Sequence, residues 1–116
     1  MPEYLLSVLH NYSTFVSPEG DELQAMYDSV AAFNDELQEA GAWVFAGGLE
    51  WPDKASVVDP TGDEPRTTDG PANDSAPTMG GMWIITAADR DAALRWATRG
   101  AVACGAPVEV RPFQGE

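Results

Sequence analysis

Residues 17–49 read SPEGDELQAMYDSVAAFNDELQEAGAWVFAGGL. Leu23, Met26, Val30, Phe33 and Leu37 recur in this stretch at steps of three and four, with Tyr27 and Ala31 widening the stripe. Glu22, Ser29, Glu36 and Glu39 fall on the opposite side, which is the pattern of a helix buried along one face. Ser17 offers an N-cap and Pro18 a first helical residue whose missing N–H costs nothing, so the helix is predicted to begin there. Gly41 supplies the stop. Ala42 to Leu49 then changes character, because Trp43, Val44 and Phe45 are strand formers and Gly47 and Gly48 loosen the run.

Upstream, Tyr4 to His10 is an apolar run between Pro2 and Asn11, predicted to be an opening strand buried on both faces. Tyr4, Leu6, Val8 and His10 share one face, and Leu5, Ser7 and Leu9 the other. Downstream, Ala55 to Asp59 reads as a short strand around Val57 and Val58, and Pro60 to Asp63 as a turn. The polar run from Asp63 to Thr78, with Pro65, Gly70, Pro71 and Pro77, is predicted to be a long excursion. Met82 to Thr86 is a further strand, introduced by Gly80 and Gly81. Asp89 caps a second helix that runs to about Arg99 and stops at Gly100, and Pro107 to Phe113 closes the chain as a strand. The order reduces to β-α-β-β-α-β, an α+β ferredoxin-like split arrangement in one domain spanning 1–116. Two helices cover one face of such a sheet. The other face is apolar and bare, and a second copy of the chain is its expected cover.

Nineteen acidic residues oppose six basic ones, a formal charge of −13. Residues 1–60 hold 11 of the acids and a single base, Lys54, while the five arginines all fall in 61–116. Nucleic acid and anionic membrane are disfavoured as partners, since both are bound through Lys and Arg. Cys104 is the only cysteine, so no internal disulfide forms. No apolar run approaches the ~20 residues of a membrane span, and a cytoplasmic location is the expectation.

From Thr68 to Pro71 the chain reads Thr-Asp-Gly-Pro, and ten residues after Gly70 come Gly80, Gly81 and an aromatic strand. Together with the Tyr4-Leu5-Leu6 strand, the Phe33-Asn34-Asp35-Glu36-Leu37 turn ending at Ala40-Gly41, the stretch Asp91 to Ala97, and the closing Val108 to Pro112, this resembles the YCII-related (DGPF) family over nearly the whole chain. The resemblance implies a ferredoxin-like subunit that dimerises into an α/β barrel with a cleft between the sheets. It also implies an enzymatic or ligand-binding role, or a link with regulatory proteins of the sigma-factor class. Ala72 stands where the family's name-giving Phe would be, and Ala76-Pro77 where Lys-Glu is common, with Asp74 and Ser75 as milder replacements. The His that the wider family carries near the start of the first helix, proposed there to work with an Asp, is absent.

His10 is the only histidine, so a neutral-pH general base of the ordinary kind falls to it. It sits at a strand end, where side chains converge on clefts. Asp69 is the carboxylate expected to orient it as the second catalytic residue. Each has a structural alternative: His10 as a strand-terminal residue bonded to backbone, Asp69 as the cap of a turn. Tyr4, Trp43, Gly70, Pro71 and Trp83 are the expected ligand-binding residues. No metal is expected, because Glu22, Glu36 and Glu39 lie on the solvated helix face with no His at their spacing, and no cofactor is expected either. Three functions remain open: a cofactor-free enzyme or small-molecule binder working as a homodimer, a non-catalytic regulatory or interaction module for a basic partner such as a sigma-type factor, and, on fold analogy, a metal-free and flavin-free monooxygenase.

Overall fold

The computed structural model describes residues 1–73 and 77–115. Asp74, Ser75 and Ala76, where the chain departs from the family pattern, lie outside the described residues. The elements are β1 (Glu3–His10), α1 (Gly20–Glu39), β2 (Trp43–Gly48), β3 (Ser56–Asp59), β4 (Arg66–Asp69), β5 (Thr78–Thr86), α2 (Arg90–Cys104) and β6 (Val108–Pro112), with a 3₁₀ turn at Pro52–Lys54. Four strands form an antiparallel sheet in the order β2-β5-β1-β6, and β3 and β4 pair separately as a hairpin. The fold is α+β, and this sheet does not close into a barrel.

The alternation of β1 sets the two faces of the sheet. Tyr4, Leu6 and Val8 point to the helices and are buried with Trp83 and Ile85 of β5, Phe33 and Leu37 of α1, and Ala93 and Ala97 of α2. By register, Leu5, Leu9, Met82, Ile84 and Phe45 share the face opposite the one that packs on α1 and α2. Phe45 on that face is 54% exposed. Two irregularities interrupt the pairing. One lies between Trp43 and Phe45 in β2; the other leaves Gly80 of β5 without a partner between Val8 and Leu9.

Four boundaries differ from the sequence expectation. Helix α1 starts at Gly20 rather than Pro18, because Gly20 takes φ 58°, a left-handed turn that a right-handed helix cannot run through. Gly100 does not end α2. It is buried within the helix, where a Cβ would lie 3.2 Å from the Phe33 ring and 3.3 Å from Trp83, and the helix continues to Cys104 until Gly105 turns at φ 70°. The expected excursion from Asp63 to Thr78 contains β4, in which Thr67 and Thr68 pair with Val58 and Val57. Two threonines are a weak strand signal, and the pairing owes as much to the preceding turn, where Asp59 Oδ1 accepts from Thr61 N at 2.9 Å and from Thr61 Oγ1 at 2.6 Å. Finally β5 begins at Thr78, four residues before Met82. Two expected helix boundaries stand as read: Asp89 caps α2 by accepting from Ala92 N at 2.9 Å, and Gly41 turns at φ 73° after α1.

Candidate functional site

Between α1 and the sheet the covered face opens into a cavity of about 850 Å³. Its floor explains it. Ala46 and Gly48 of β2 and Gly80 and Gly81 of β5 line it, so the sheet presents little or no side chain beneath the N-terminal half of α1. The roof is Leu23, Met26, Tyr27 and Val30 of α1, and the segment from Asn11 to Pro18 runs along one side. Strand residues this small leave a helix carrying large side chains standing off the sheet, and the space between remains open.

The wall at the end of β1 is aromatic. The His10 ring lies 4.2 Å from Phe15, centroid to centroid, and meets Tyr12 edge-on at 5.6 Å. Tyr12 in turn packs edge-on against Trp51 at 4.9 Å, and Phe15 lies 5.6 Å from the same indole. Gly80 makes this wall possible. A Cβ there would come within 2.5 Å of both His10 Cδ2 and the Tyr12 hydroxyl. Deeper in, Trp83 donates its indole N–H to Asn34 Oδ1 at 2.7 Å, fixing both residues at the base of the cavity.

Electrostatically the site is quiet. Among the described residues no Asp, Glu, Lys or Arg lines the cavity, and His10 is the one titratable base that does. Burial lowers the His10 pKa below its ordinary 6.5, so the ring is neutral at pH 7. Burial also raises the Tyr12 pKa and keeps the phenol protonated. The Cys104 thiol, at the far rim, is pushed up by burial more than its backbone hydrogen bonds pull it down. A thiol held protonated is a poor nucleophile. The chemistry on offer is a neutral imidazole, two phenols and two side-chain amides among the rings of Phe15, Trp43, Trp51 and Trp83, suited to holding an organic molecule and moving a proton on it.

The expected site residues divide. His10, Trp43 and Trp83 line the cavity together. Tyr4 does not, being core with 5% of its surface exposed. Asp69 is exposed at the end of β4, accepts from Ser56 Oγ at 3.4 Å, and does not line the cavity that holds His10. Gly70, at φ 107°, donates its N–H to Ala55 O at 2.8 Å and closes the base of the hairpin. Pro71 lines a second hollow of about 370 Å³ with Ala72, Met79, Leu49 and Trp51. Leu49 and Trp51 thus form a wall common to both hollows, and Ala72 leaves open the space beside it. Tyr12, Phe15, Asn34 and Trp51 are the residues that sequence reasoning missed. Aromatic side chains at Tyr12 and Phe15, in a polar loop with no periodic partner, were the available signal.

No group of three or more His, Cys, Asp or Glu able to hold a metal occurs among the described residues, and no helix among them is long and apolar enough to cross a membrane. The model of the YCII-related domain family matches residues 5–114 of the chain, which therefore belongs to that family. No curated protein matches it.

Proposed function

We propose that this YCII-related chain is a small-molecule-binding, cofactor-free enzyme of the cytoplasm, acting as a homodimer, with the cavity under α1 as its site. The observation that carries the reading is the open cavity itself, about 850 Å³ and ending at a neutral His10. That size is in the range of small-molecule sites, and an interaction module would have no need to keep such a space unfilled. His10 is the general base, Tyr12 a proton donor, and Trp43 and Trp83 hold the ligand's apolar body. Because no Lys or Arg lines the cavity among the described residues, the ligand is an organic molecule without an anionic group.

Surface area supports the assembly. The chain exposes 7902 Å², whereas a folded monomer of 12.4 kDa is expected to expose about 6,100 Å². The Cα radius of gyration of 16.1 Å likewise exceeds the ~13 Å of a compact chain of this length. The excess is of the order that a stable interface removes, and Leu5, Ile84, Met82 and Phe45 on the face opposite the helices are the apolar surface to bury. The strand order fits a ferredoxin-like subunit, and two such sheets packed face to face would make the dimeric α/β barrel. Sedimentation at micromolar concentration is expected to show the dimer. A stable monomer near 12.4 kDa would sink it.

Native mass spectrometry of protein purified without added ligand tests the site. A co-purified organic molecule is expected, lost from Trp51→Ala and retained by Asp69→Asn. Retention by Trp51→Ala would place the ligand elsewhere. Should nothing co-purify, the single His NMR signal is to be followed against a panel of neutral and cationic aromatic compounds, and a signal unmoved by all of them would overturn the reading.

A further inference from the structure

An indole N–H only donates, and this decides how the Asn34 amide lies. Its Oδ1 faces the Trp83 N–H at 2.7 Å, so Nδ2 with its two hydrogens is turned away from the indole. Trp83 is not free to release it. The ring is 4% exposed, lies edge-on to Phe33 at 5.1 Å, and is backed by Gly100, where a Cβ would already stand 3.3 Å from it. The amide is thereby held in one orientation before any ligand arrives.

Among the described residues nothing accepts from Asn34 Nδ2. None of their buried side-chain nitrogens or oxygens lacks a partner, so Nδ2, which has none, is reached by solvent. The helix fixes the side from which it is reached. At α-helical spacing Asn34 falls between Leu23 and Tyr27, both of which line the cavity as Asn34 does, whereas Phe33 turns to Trp96 of α2.

The base of the cavity therefore offers a pair of uncharged, oriented donors. An oxygen that only accepts, as in a carbonyl group, complements them, whereas a hydroxyl brings a donor of its own that needs a further acceptor. A hydrocarbon placed there would strip water from Nδ2 and return no hydrogen bond.

Resting on the reading of this cavity as a ligand site, we propose that it takes a neutral organic carbonyl compound, whose oxygen accepts from Asn34 Nδ2 and whose apolar body lies under Met26 and Val30. Asn34 selects the carbonyl, and Trp83 is the positioning residue behind it.

The test compares acetophenone with isopropenylbenzene, which keeps its shape and carries a methylene group in place of the oxygen. Both are titrated into the full chain and followed by NMR. Acetophenone is expected to move the Asn34 side-chain amide protons downfield, and isopropenylbenzene is expected not to. In Asn34→Asp an oxygen still accepts from Trp83 and the donors are gone, so acetophenone is expected to lose about fivefold or more in affinity relative to isopropenylbenzene. Trp83→Phe leaves the amide free to turn over and is expected to remove part of the same advantage, and an advantage it leaves untouched would overturn the positioning role. Acetophenone bound with the amide protons unmoved, or the same relative affinity in the parent and Asn34→Asp, would overturn the carbonyl and spare the site. If neither compound binds or moves the His10 signal, site and carbonyl fall together.

Discussion

Two stretches of the helical layer lie over the same sheet and treat it in opposite ways. Helix α2 turns Ala93, Ala97 and Gly100 inward, and at Gly100 it comes so close that a Cβ would sit 3.2 Å from Phe33. The first half of α1 turns Leu23, Met26 and Val30 inward, yet none of the three is buried. Its second half, at Phe33 and Leu37, is sealed. What differs is the sheet beneath. Phe33 and Leu37 share the buried core with Leu6, Trp83 and Ile85 of the strands, whereas the cavity that Leu23 and Met26 line is bounded on the sheet side by Gly48, Gly80 and Gly81 among others. An amphipathic stripe therefore becomes core where the opposing strand has side chains and becomes a cavity roof where it has none.

The sharpest way to break this comparison is one substitution made twice on the same helix. Leu37→Ala removes a fully buried side chain and is expected to cost about 3 kcal/mol, whereas Leu23→Ala on the cavity roof is expected to cost less than about 1 kcal/mol. Urea unfolding of the two variants measures the difference. Similar losses would mean that the first half of α1 is packed after all, and the cavity closed in solution.

A smaller effect tests the closely packed side. Gly100→Ala gains about 1 kcal/mol of helix propensity but presses a methyl group against Phe33 and Trp83, both buried, and overpacking of that kind costs ~1–3 kcal/mol. The net expectation is a loss of about 1 kcal/mol in thermal or urea unfolding. A variant more stable than the parent would show that α2 has room to move outward.

The smallest effect concerns His10 and its pH response. Its folded pKa is lowered by burial, so as pH falls through 6.5 the unfolded chain takes up the proton first and stability drops, the loss ending once the folded ring is protonated too. Its NMR titration midpoint is expected below 6.5, and Asp69→Asn is expected to leave that midpoint in place, since Asp69 is bonded to Ser56. A midpoint that falls in Asp69→Asn would restore the carboxylate as the partner of His10 and make the site larger than the cavity beneath α1. His10→Gln supplies the control for stability, because it keeps a polar side chain and removes the titration.

Much of the architecture was readable from the residues alone, since periodicity of two or of three and four reports burial directly. The stripe from Leu23 to Leu37, the alternation of β1, the Asp89 cap and the Gly41 stop all appear in the structure. His10, a lone histidine at a strand end, and Trp43 and Trp83, indoles on strands, were candidates on the sequence alone, and all three line the cavity. The rest depended on neighbours distant in the chain. Gly100 reads as a helix stop until Phe33 and Trp83 occupy the space where its Cβ would lie. Gly80 reads as a strand entrance until His10 and Tyr12 are seen against it, and Trp51 as a loop residue until the 3₁₀ turn carries it to Tyr12. A missing side chain leaves no periodic mark, and its consequence is set by whatever the fold brings opposite. The cavity is made by such absences, so only the tertiary structure could reveal it.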